Sequence, residues 1–169
     1  RKGPGLIDVP DDIQREIVET KKLKKFKYLK VKKNETKIPI KQILKLINKK
    51  KRPVIIFGSG CSKETHSKLI STFLNKFNMP FLTTWGAKDL LNDHPLNFGT
   101  FGTHGTRSGN LCVQNSDLLI VIGSRLSTRE TGSPIKNFAR KADLIFVDID
   151  KNEIEKFSKL NKKIKIKLN

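Results

Sequence analysis

Residues 99–110 hold four of the chain's eleven glycines, interleaved with hydroxyl side chains, His104 and Arg107. Glycine has no Cβ, so a loop of this composition lets backbone N–H groups approach a bulky anion closely. The loop runs into a helix predicted over 106–115, whose first N–H groups and dipole favour a phosphate. A long surface loop that needs glycine only for its turns is the alternative, and the stretch alone leaves both interpretations open.

His104 is the residue of this stretch that could act as a base, because histidine is the commonest general base of enzymes. Nothing beside it completes a catalytic dyad, and no His, Cys and Asp cluster has the spacing of metal ligands. We therefore expect His104 to line a ligand site, and we assign no catalytic residue and no metal ligand to this chain.

The elements that must position these residues alternate regularly along the chain. Apolar runs predict buried strands over 53–57, 79–84, 117–122 and 142–147, and a last strand over 162–168. Amphipathic spacing predicts helices over 39–50, 62–77, 106–115 and 151–160. This alternation is typical of an α/β fold with a doubly wound, mostly parallel sheet.

In such a sheet, ligands bind beyond the carboxyl ends of the strands. Mostly small or polar residues stand at the end of each of the four predicted central strands. They are Gly58, Ser59 and Gly60; Thr83 and Thr84; Gly123, Ser124 and Arg125; and Asp148, Ile149 and Asp150. This pattern predicts a Rossmann-like, nucleotide-type site at the strand ends, although the full G-x-G-x-x-G fingerprint is absent.

Several of these side chains have two possible roles. An aspartate such as Asp148 or Asp150 suits a ribose hydroxyl, but aspartate also caps helices, and we expect one of the two to be a cap. Arg125 and Arg129 could hold a pyrophosphate with two hydrogen bonds each. They could equally pair with Glu130 or a neighbouring aspartate.

The formal net charge of +19 suggests a nucleic-acid partner. Residues 53–150, however, hold 10 basic and 8 acidic residues, whereas residues 1–52 hold 18 and 6, so the excess lies on the flanks. The excess is mostly lysine with few aromatic residues, whereas readers of nucleic acids rely on arginine and aromatic platforms. We therefore expect no specific nucleic-acid binding.

The N-terminal part differs from the rest of the chain. Gly5–Val9 is predicted as a short strand closed by Pro10, followed by a short helix or turn from Asp11. Residues 20–37 are predicted to form an exposed, Lys-rich linker. The two cysteines are expected to be reduced thiols of a cytoplasmic protein, and no apolar run reaches the length of a membrane span.

Six segments follow one another in a recognisable order. They are Arg52-Pro-Val-Ile-Ile-Phe-Gly-Ser-Gly60, Met79-Pro-Phe-Leu-Thr-Thr84, Asp93-His-Pro-Leu-Asn-Phe-Gly99, Gly102-Thr-His-Gly-Thr-Arg107, Asp117-Leu-Leu-Ile-Val-Ile-Gly-Ser-Arg125 and Asp148-Ile-Asp150. Together they resemble the central domain of thiamine-diphosphate-dependent enzymes, most of all acetolactate (acetohydroxyacid) synthase. Residues 1–19 resemble the C-terminal end of that family's pyrimidine-binding domain, which leaves 20–37 as linker and 38–169 as the central domain.

The resemblance implies that the cofactors of the intact enzyme bind to different domains. Thiamine diphosphate would bind between a pyrimidine domain and a pyrophosphate domain, and the pyrophosphate domain would hold Mg²⁺. Because both domains are missing from this chain, the chain alone would have no catalytic activity. The intact enzyme would be a homodimer or tetramer that decarboxylates one 2-oxo acid and condenses it with another. The central domain would bind FAD in a structural role. Implied FAD contacts are Arg1, His104, Gly105, Thr106, Gly123, Arg125, Asp148, Ile149 and Asp150, with Thr83, Thr84 and Arg129 as further candidates.

One segment departs from the family pattern. Synthases usually carry Arg-Phe-Asp-Asp-Arg-Val-Thr-Gly where this chain has Arg125-Leu-Ser-Thr-Arg-Glu-Thr-Gly132, so two acids are lost and Glu130 is gained. FAD is accordingly a hypothesis. Two other interpretations remain open, a free-standing nucleotide-binding module without catalysis and a basic nucleic-acid-binding protein.

Overall fold

A computed structural model of the 169-residue chain describes residues 4–27, 38–61, 64–158 and 164–168. The chain forms two compact units, Arg1–Glu35 and Thr36–Asn169. The predicted contact at Arg1 and the linker residues 28–37 lie outside the described residues.

The first unit has no core among its described residues, because every residue of 4–27 is exposed. It contains helix α1, Asp11–Gln14, as predicted, and a 3-10 turn, Thr20–Lys22. The predicted strand Gly5–Val9 is wrong: residues 4–10 form no strand. A strand requires a neighbouring backbone to pair with, and this apolar run finds none within the described chain. Leu6 and Ile7 are therefore left 96% and 86% exposed.

The second unit alternates helices and strands. The strands are β1 Pro53–Phe57, β2 Phe81–Thr83, β3 Asn97–Thr100, β4 Leu118–Ile122, β5 Asp143–Val147 and β6 Ile164–Leu168. The helices are α2 Ile40–Lys49, α3 Glu64–Phe77, α4 Arg107–Asn115, α5 Thr128–Thr131 and α6 Lys151–Ser158. Short 3-10 turns lie at Ser59–Cys61, Trp85–Ala87 and Ile135–Asn137.

The six strands form one sheet in the order β3-β2-β1-β4-β5-β6, with every neighbouring pair parallel. β1 lies at the centre and pairs with β4 along its whole length, from Pro53 opposite Leu118 to Phe57 opposite Ile122. The chain order reverses between β1 and β4, which is the topological switch point of a doubly wound sheet.

Both faces of the sheet are covered, which explains why its central strands are apolar throughout. Val54 and Ile56 of β1 pack on one side with Val113 of α4 and Phe157 of α6. Their alternating neighbours Ile55 and Phe57 pack on the other side with residues of α2 and α3, such as Ile47 and Leu74. The predicted doubly wound α/β fold is confirmed.

Candidate functional site

The ends of β1 and β4 meet at the carboxyl edge of the sheet in close backbone contact. A Cβ on Gly60 would lie 3.0 Å from the Cα of Gly123, and a Cβ on Gly58 would overlap the Gly123 carbonyl. Gly58 N–H donates to Ile122 O at 2.8 Å and Gly60 N–H to Gly123 O at 3.0 Å. Glycine is therefore required here because the two loops approach each other so closely. The N–H groups of Gly58 and Gly60 already donate hydrogen bonds to backbone carbonyls. Ser59 and Gly60 are exposed, and their contact with a ligand stays a prediction.

The residues that follow β4 and β5 lie at the same carboxyl edge of the sheet. Gly123 has φ +63° and its N–H donates to Val147 O at 2.9 Å. Ser124 is 5% exposed and its Oγ accepts the N–H of Leu126 at 3.1 Å, so this side chain shapes the turn after β4.

The two aspartates after β5 both accept hydrogen bonds from backbone N–H groups through their carboxylates. Asp150 Oδ1 accepts the N–H of Asn152 at 3.0 Å, which confirms the predicted cap of the helix that follows. Asp148 Oδ1 accepts the N–H of Asp150 at 2.8 Å. Both carboxylates are half-buried at the edge, whereas Ile149 between them is 75% exposed. Their predicted contact with a ribose is compatible with this placement and stays a prediction.

Arg125 and Arg129 are exposed, and within the described part of the chain neither guanidinium forms an ion pair or a hydrogen bond. The predicted pairing with Glu130 is therefore absent as a direct contact. Glu130 instead accepts the backbone N–H of Ser127 through Oε2 at 2.6 Å. Burial raises the pKa of Glu130, although that N–H and the charges of Arg125 and Lys156 lower it in part.

The Gly-rich loop uses its glycines mainly for packing. Gly102 has φ +96°, and a Cβ there would lie 2.7 Å from the Cα of Glu130. Asn110 fixes this turn by accepting the N–H of Gly102 at 2.8 Å and donating to its carbonyl at 3.1 Å. Thr106 caps α4 by accepting the N–H of Gly109 at 3.0 Å, as expected for a helix start at this residue.

A cleft of about 490 Å³ lies between the ends of β2 and β3. Its lining includes three predicted contacts, Thr83, His104 and Thr106, while Gly105 lies within the loop beside them. The remaining lining residues are Trp85, Lys88, Asn92, Asn97, Gly99 and Thr100. The rings of Trp85 and His104 are in contact at a tilt of 49°, with their centroids 5.1 Å apart.

The cleft and the β1–β4 loops are neighbours on one edge. A Cβ on Gly86, in the turn after β2, would lie 2.9 Å from the Cβ of Ser59. Thr84 N–H donates to Phe57 O at 3.0 Å, which ties the same turn to β1. Thr84 itself is 6% exposed and does not line the cleft. The structure thus brings the described site residues to one edge, in two adjoining groups.

The sequence predictions missed several members of this cleft. Trp85 is the chain's single tryptophan and comes directly after a predicted strand end, a combination that could have identified it from the sequence. Thr100 lies in the Gly-rich stretch, but β3 was not predicted, so its neighbour across the sheet was unknown.

A second cavity of about 240 Å³ lies beside the Gly-rich loop, with Asn110, Glu130 and Thr131 in its lining. Asn110 is bonded to Gly102, Glu130 to Ser127, and Thr131 donates to Ser127 O at 3.1 Å. These hydrogen bonds stabilise the loop.

Cys61 and Cys112 are free thiols, as predicted, and burial raises the pKa of both. Among the described residues, no group of three His, Cys, Asp or Glu side chains could hold a metal ion. The helices of the described ranges include none with the length and apolarity needed to span a membrane.

Comparison with protein families matches residues 40–167 to the family "Thiamine pyrophosphate enzyme, central domain". The chain belongs to this family. The resemblance inferred from the six segments is thereby confirmed, and the matched range contains the strands β1 to β5 and all but the last residue of β6.

Individual relatives of this central domain are acetolactate synthases. The chain is 39% identical over 167 residues to a "Probable acetolactate synthase large subunit" of Methanococcus aeolicus. It is 36% identical over 162 residues to its counterpart in Methanocaldococcus jannaschii, and 34% over 161 residues to "Acetolactate synthase 1, chloroplastic" of Zea mays. Each match covers 92% of this chain but only 25–27% of the relative, so the chain spans about a quarter of those proteins.

Proposed function

We propose that this chain is the central domain of a longer, cytoplasmic thiamine-diphosphate-dependent enzyme with acetolactate-synthase-type activity. That enzyme would decarboxylate one 2-oxo acid and join the remaining fragment to a second. The observation that carries the proposal is the match to acetolactate synthases over 92% of the chain at 34–39% identity. Thiamine diphosphate, when bound, supplies the stabilised carbanion for such chemistry.

This domain itself would be a scaffold without a catalytic residue. We assign thiamine diphosphate to a pyrimidine and a pyrophosphate domain of the same polypeptide, and Mg²⁺ to the latter. Exposed apolar side chains in residues 4–27, such as Ile17 at 96%, support a further domain packing on that unit. A homodimer or tetramer of the intact enzyme follows from the family and belongs to the same proposal.

The residues of the carboxyl edge suit FAD or a related nucleotide as the ligand of this domain. Arg125 and Arg129 have guanidinium groups without a protein partner among the described residues, which suits a pyrophosphate. Asp148 and Asp150 place carboxylates at the same edge, which suits ribose hydroxyls. The role of these residues is to bind and orient, since none of them lies in a catalytic arrangement.

Calorimetric titration of the chain with FAD and with ADP tests this assignment. The variant Arg125→Ala should weaken binding about ten- to a hundredfold, because it removes charge-assisted hydrogen bonds worth about 1.5–3 kcal/mol. Arg140→Ala is the matched control, since Arg140 is also exposed but precedes β5 at the opposite edge. Binding of ADP without any preference for FAD would favour a nucleotide-binding module. Absence of binding by both would leave a scaffold without a cofactor.

A further inference from the structure

We infer that Lys156 is a positioning residue, which holds the turn after β4 so that Arg125 on that turn can bind the pyrophosphate of the ligand. Lys156 lies on α6, the helix that follows β5. Its side chain therefore connects the segments after β4 and β5, which carry the arginine and the aspartates assigned to the ligand. The inference rests on the proposed function, because it requires an anionic ligand that Arg125 binds.

The turn at Arg125 and Leu126 has a strained backbone. Leu126 has φ +46°, in the left-handed region that leucine rarely adopts. Its side chain is 1% exposed and belongs to the core on one face of the sheet. Strain of this kind persists only where the surrounding contacts fix it, and it is concentrated at functional sites. The contacts that fix this turn are therefore of functional interest.

The peptide group between Arg125 and Leu126 is hydrogen-bonded at both of its polar atoms. Its N–H donates to Ser124 Oγ at 3.1 Å, and its carbonyl oxygen accepts a hydrogen bond from Lys156 Nζ. Rotation of this peptide plane could relieve the positive φ of Leu126, but it would break both hydrogen bonds. Lys156 thus stabilises the strained form of the turn.

The hydrogen bond from Lys156 is also the one that reaches the turn from a distant element. The other hydrogen bonds of residues 124–127 are local, such as the one in which Glu130 Oε2 accepts the N–H of Ser127 at 2.6 Å. Across the described ranges, only Lys156 hydrogen-bonds to this segment from outside the segment and α5. Without Lys156, no hydrogen bond of the described chain would join the turn to α6.

The ammonium group of Lys156 is itself held by protein groups. Nζ forms an ion pair of 2.7 Å with Glu153 Oε2, and the two side chains are 35% and 19% exposed. Nζ also lies 5.3 Å from the centroid of the buried Phe157 ring, within the range of a cation–π interaction. Two of the three donors of the ammonium are thereby used by the Arg125 carbonyl and Glu153. We therefore assign Lys156 to the orientation of the turn and not to direct contact with the ligand.

Hydrogen exchange of the Leu126 amide measures whether Lys156 holds the turn in the chain without ligand. In Lys156→Met, which keeps an unbranched apolar side chain, this amide should exchange about three- to tenfold faster, because the turn opens more often. Lys151→Met is the matched control on the same helix. Lys151 is 77% exposed, lies 3.8 Å from Glu155 and forms no hydrogen bond with the turn among the described residues. Its replacement should leave the exchange of the Leu126 amide unchanged.

Calorimetric titration with FAD, and with ADP, measures whether Lys156 acts through Arg125. Lys156→Met should raise Kd about three- to tenfold, the usual effect of losing one hydrogen bond that orders a site. In the background of Arg125→Ala the same change should raise Kd less than about twofold, because the group that Lys156 positions is then absent. Lys156→Arg keeps a cationic donor for the Arg125 carbonyl and should restore most of the affinity lost in Lys156→Met. Thermal melts check that each variant is folded at the temperature of the titration.

The outcomes separate this inference from the proposed function. If the parent chain binds FAD or ADP but Lys156→Met leaves the exchange of the Leu126 amide unchanged, Lys156 does not hold the turn. If Lys156→Met raises Kd by the same factor with and without Arg125, its charge acts on the ligand independently of Arg125. Either result overturns the inference while the proposed function stands. If the parent chain binds neither ligand, both fall together.

Discussion

Gly58 lies so close to Gly123 that a Cβ on residue 58 would be 2.5 Å from the carbonyl carbon of Gly123. The obstacle is backbone, which cannot rotate away as a side chain can. Gly58→Ala should therefore lower the free energy of unfolding by about 1–3 kcal/mol or more, as overpacking of a buried site does. Gly5→Ala, where a Cβ meets nothing within 4 Å, is the matched control. Urea denaturation measures both, and equal stability of the two variants would contradict the close approach of the loops.

Asn110 should control the order of the Gly-rich loop through its two hydrogen bonds to Gly102, at 2.8 and 3.1 Å. Asn110→Ala should cost about 1–2 kcal/mol and speed hydrogen exchange of the loop amides. The matched control is Gln114→Ala on the same helix, since Gln114 is exposed and makes no side-chain hydrogen bond within the described chain. Unchanged loop exchange in Asn110→Ala would show that the packing of glycine alone orders the loop.

Lys50 and Asp143 form a partly buried ion pair of 2.7 Å, with side chains 19% and 14% exposed, that joins the end of α2 to the start of β5. Removing one partner leaves the other charge partly buried without compensation. Lys50→Met should therefore destabilise the chain by about 1–3 kcal/mol. The double variant with Asp143→Asn should lose less than the sum of the single changes. Additive losses in this double-mutant cycle would mean that the pair contributes nothing.

Glu130 should make stability fall as the pH rises. Burial raises its pKa in the folded chain above the ordinary value of 4.5. The folded state thus binds this proton more tightly than the unfolded state does. Its contribution to stability is fully present below pH 4.5 and is lost as the pH rises through the raised pKa. Gln mimics the protonated acid, so Glu130→Gln should become steadily more stable relative to the parent across that window. Urea denaturation at a series of pH values measures the difference, and a pH-independent difference would contradict the assignment.

The core of the fold could be predicted because its strands are short, apolar and flanked by turn residues. β1 was predicted at its observed bounds, 53–57, and β4 and β5 each begin one residue later than predicted, at Leu118 and Asp143. β3 could not be predicted, because Asn97-Phe-Gly-Thr100 has neither alternation nor strand formers at every position. It forms a strand because β2 offers it an open edge to pair with.

The sequence predicted at which edge of the sheet the candidate site lies, but it did not predict the shape of that site. The rule that ligands bind at the carboxyl ends of strands located Thr83, Gly123 and Asp148 correctly on one edge. It could not show that the loops of Gly58 and Gly123 close on each other, since that depends on backbone distances. Nor could it show the cleft, because the cleft needs the unpredicted β3 and the ring pair of Trp85 and His104.

The measurement that tests the central claim most directly is a thermal melt of the chain with and without FAD, with ADP as the control. At a ligand concentration of about 100 Kd, binding to the folded state alone adds roughly 2.7 kcal/mol. For a chain of this size that corresponds to a rise of about 5–10 °C in Tm. We expect this rise with FAD and a smaller one with ADP. An unchanged Tm with FAD would contradict the assignment of a flavin to this domain.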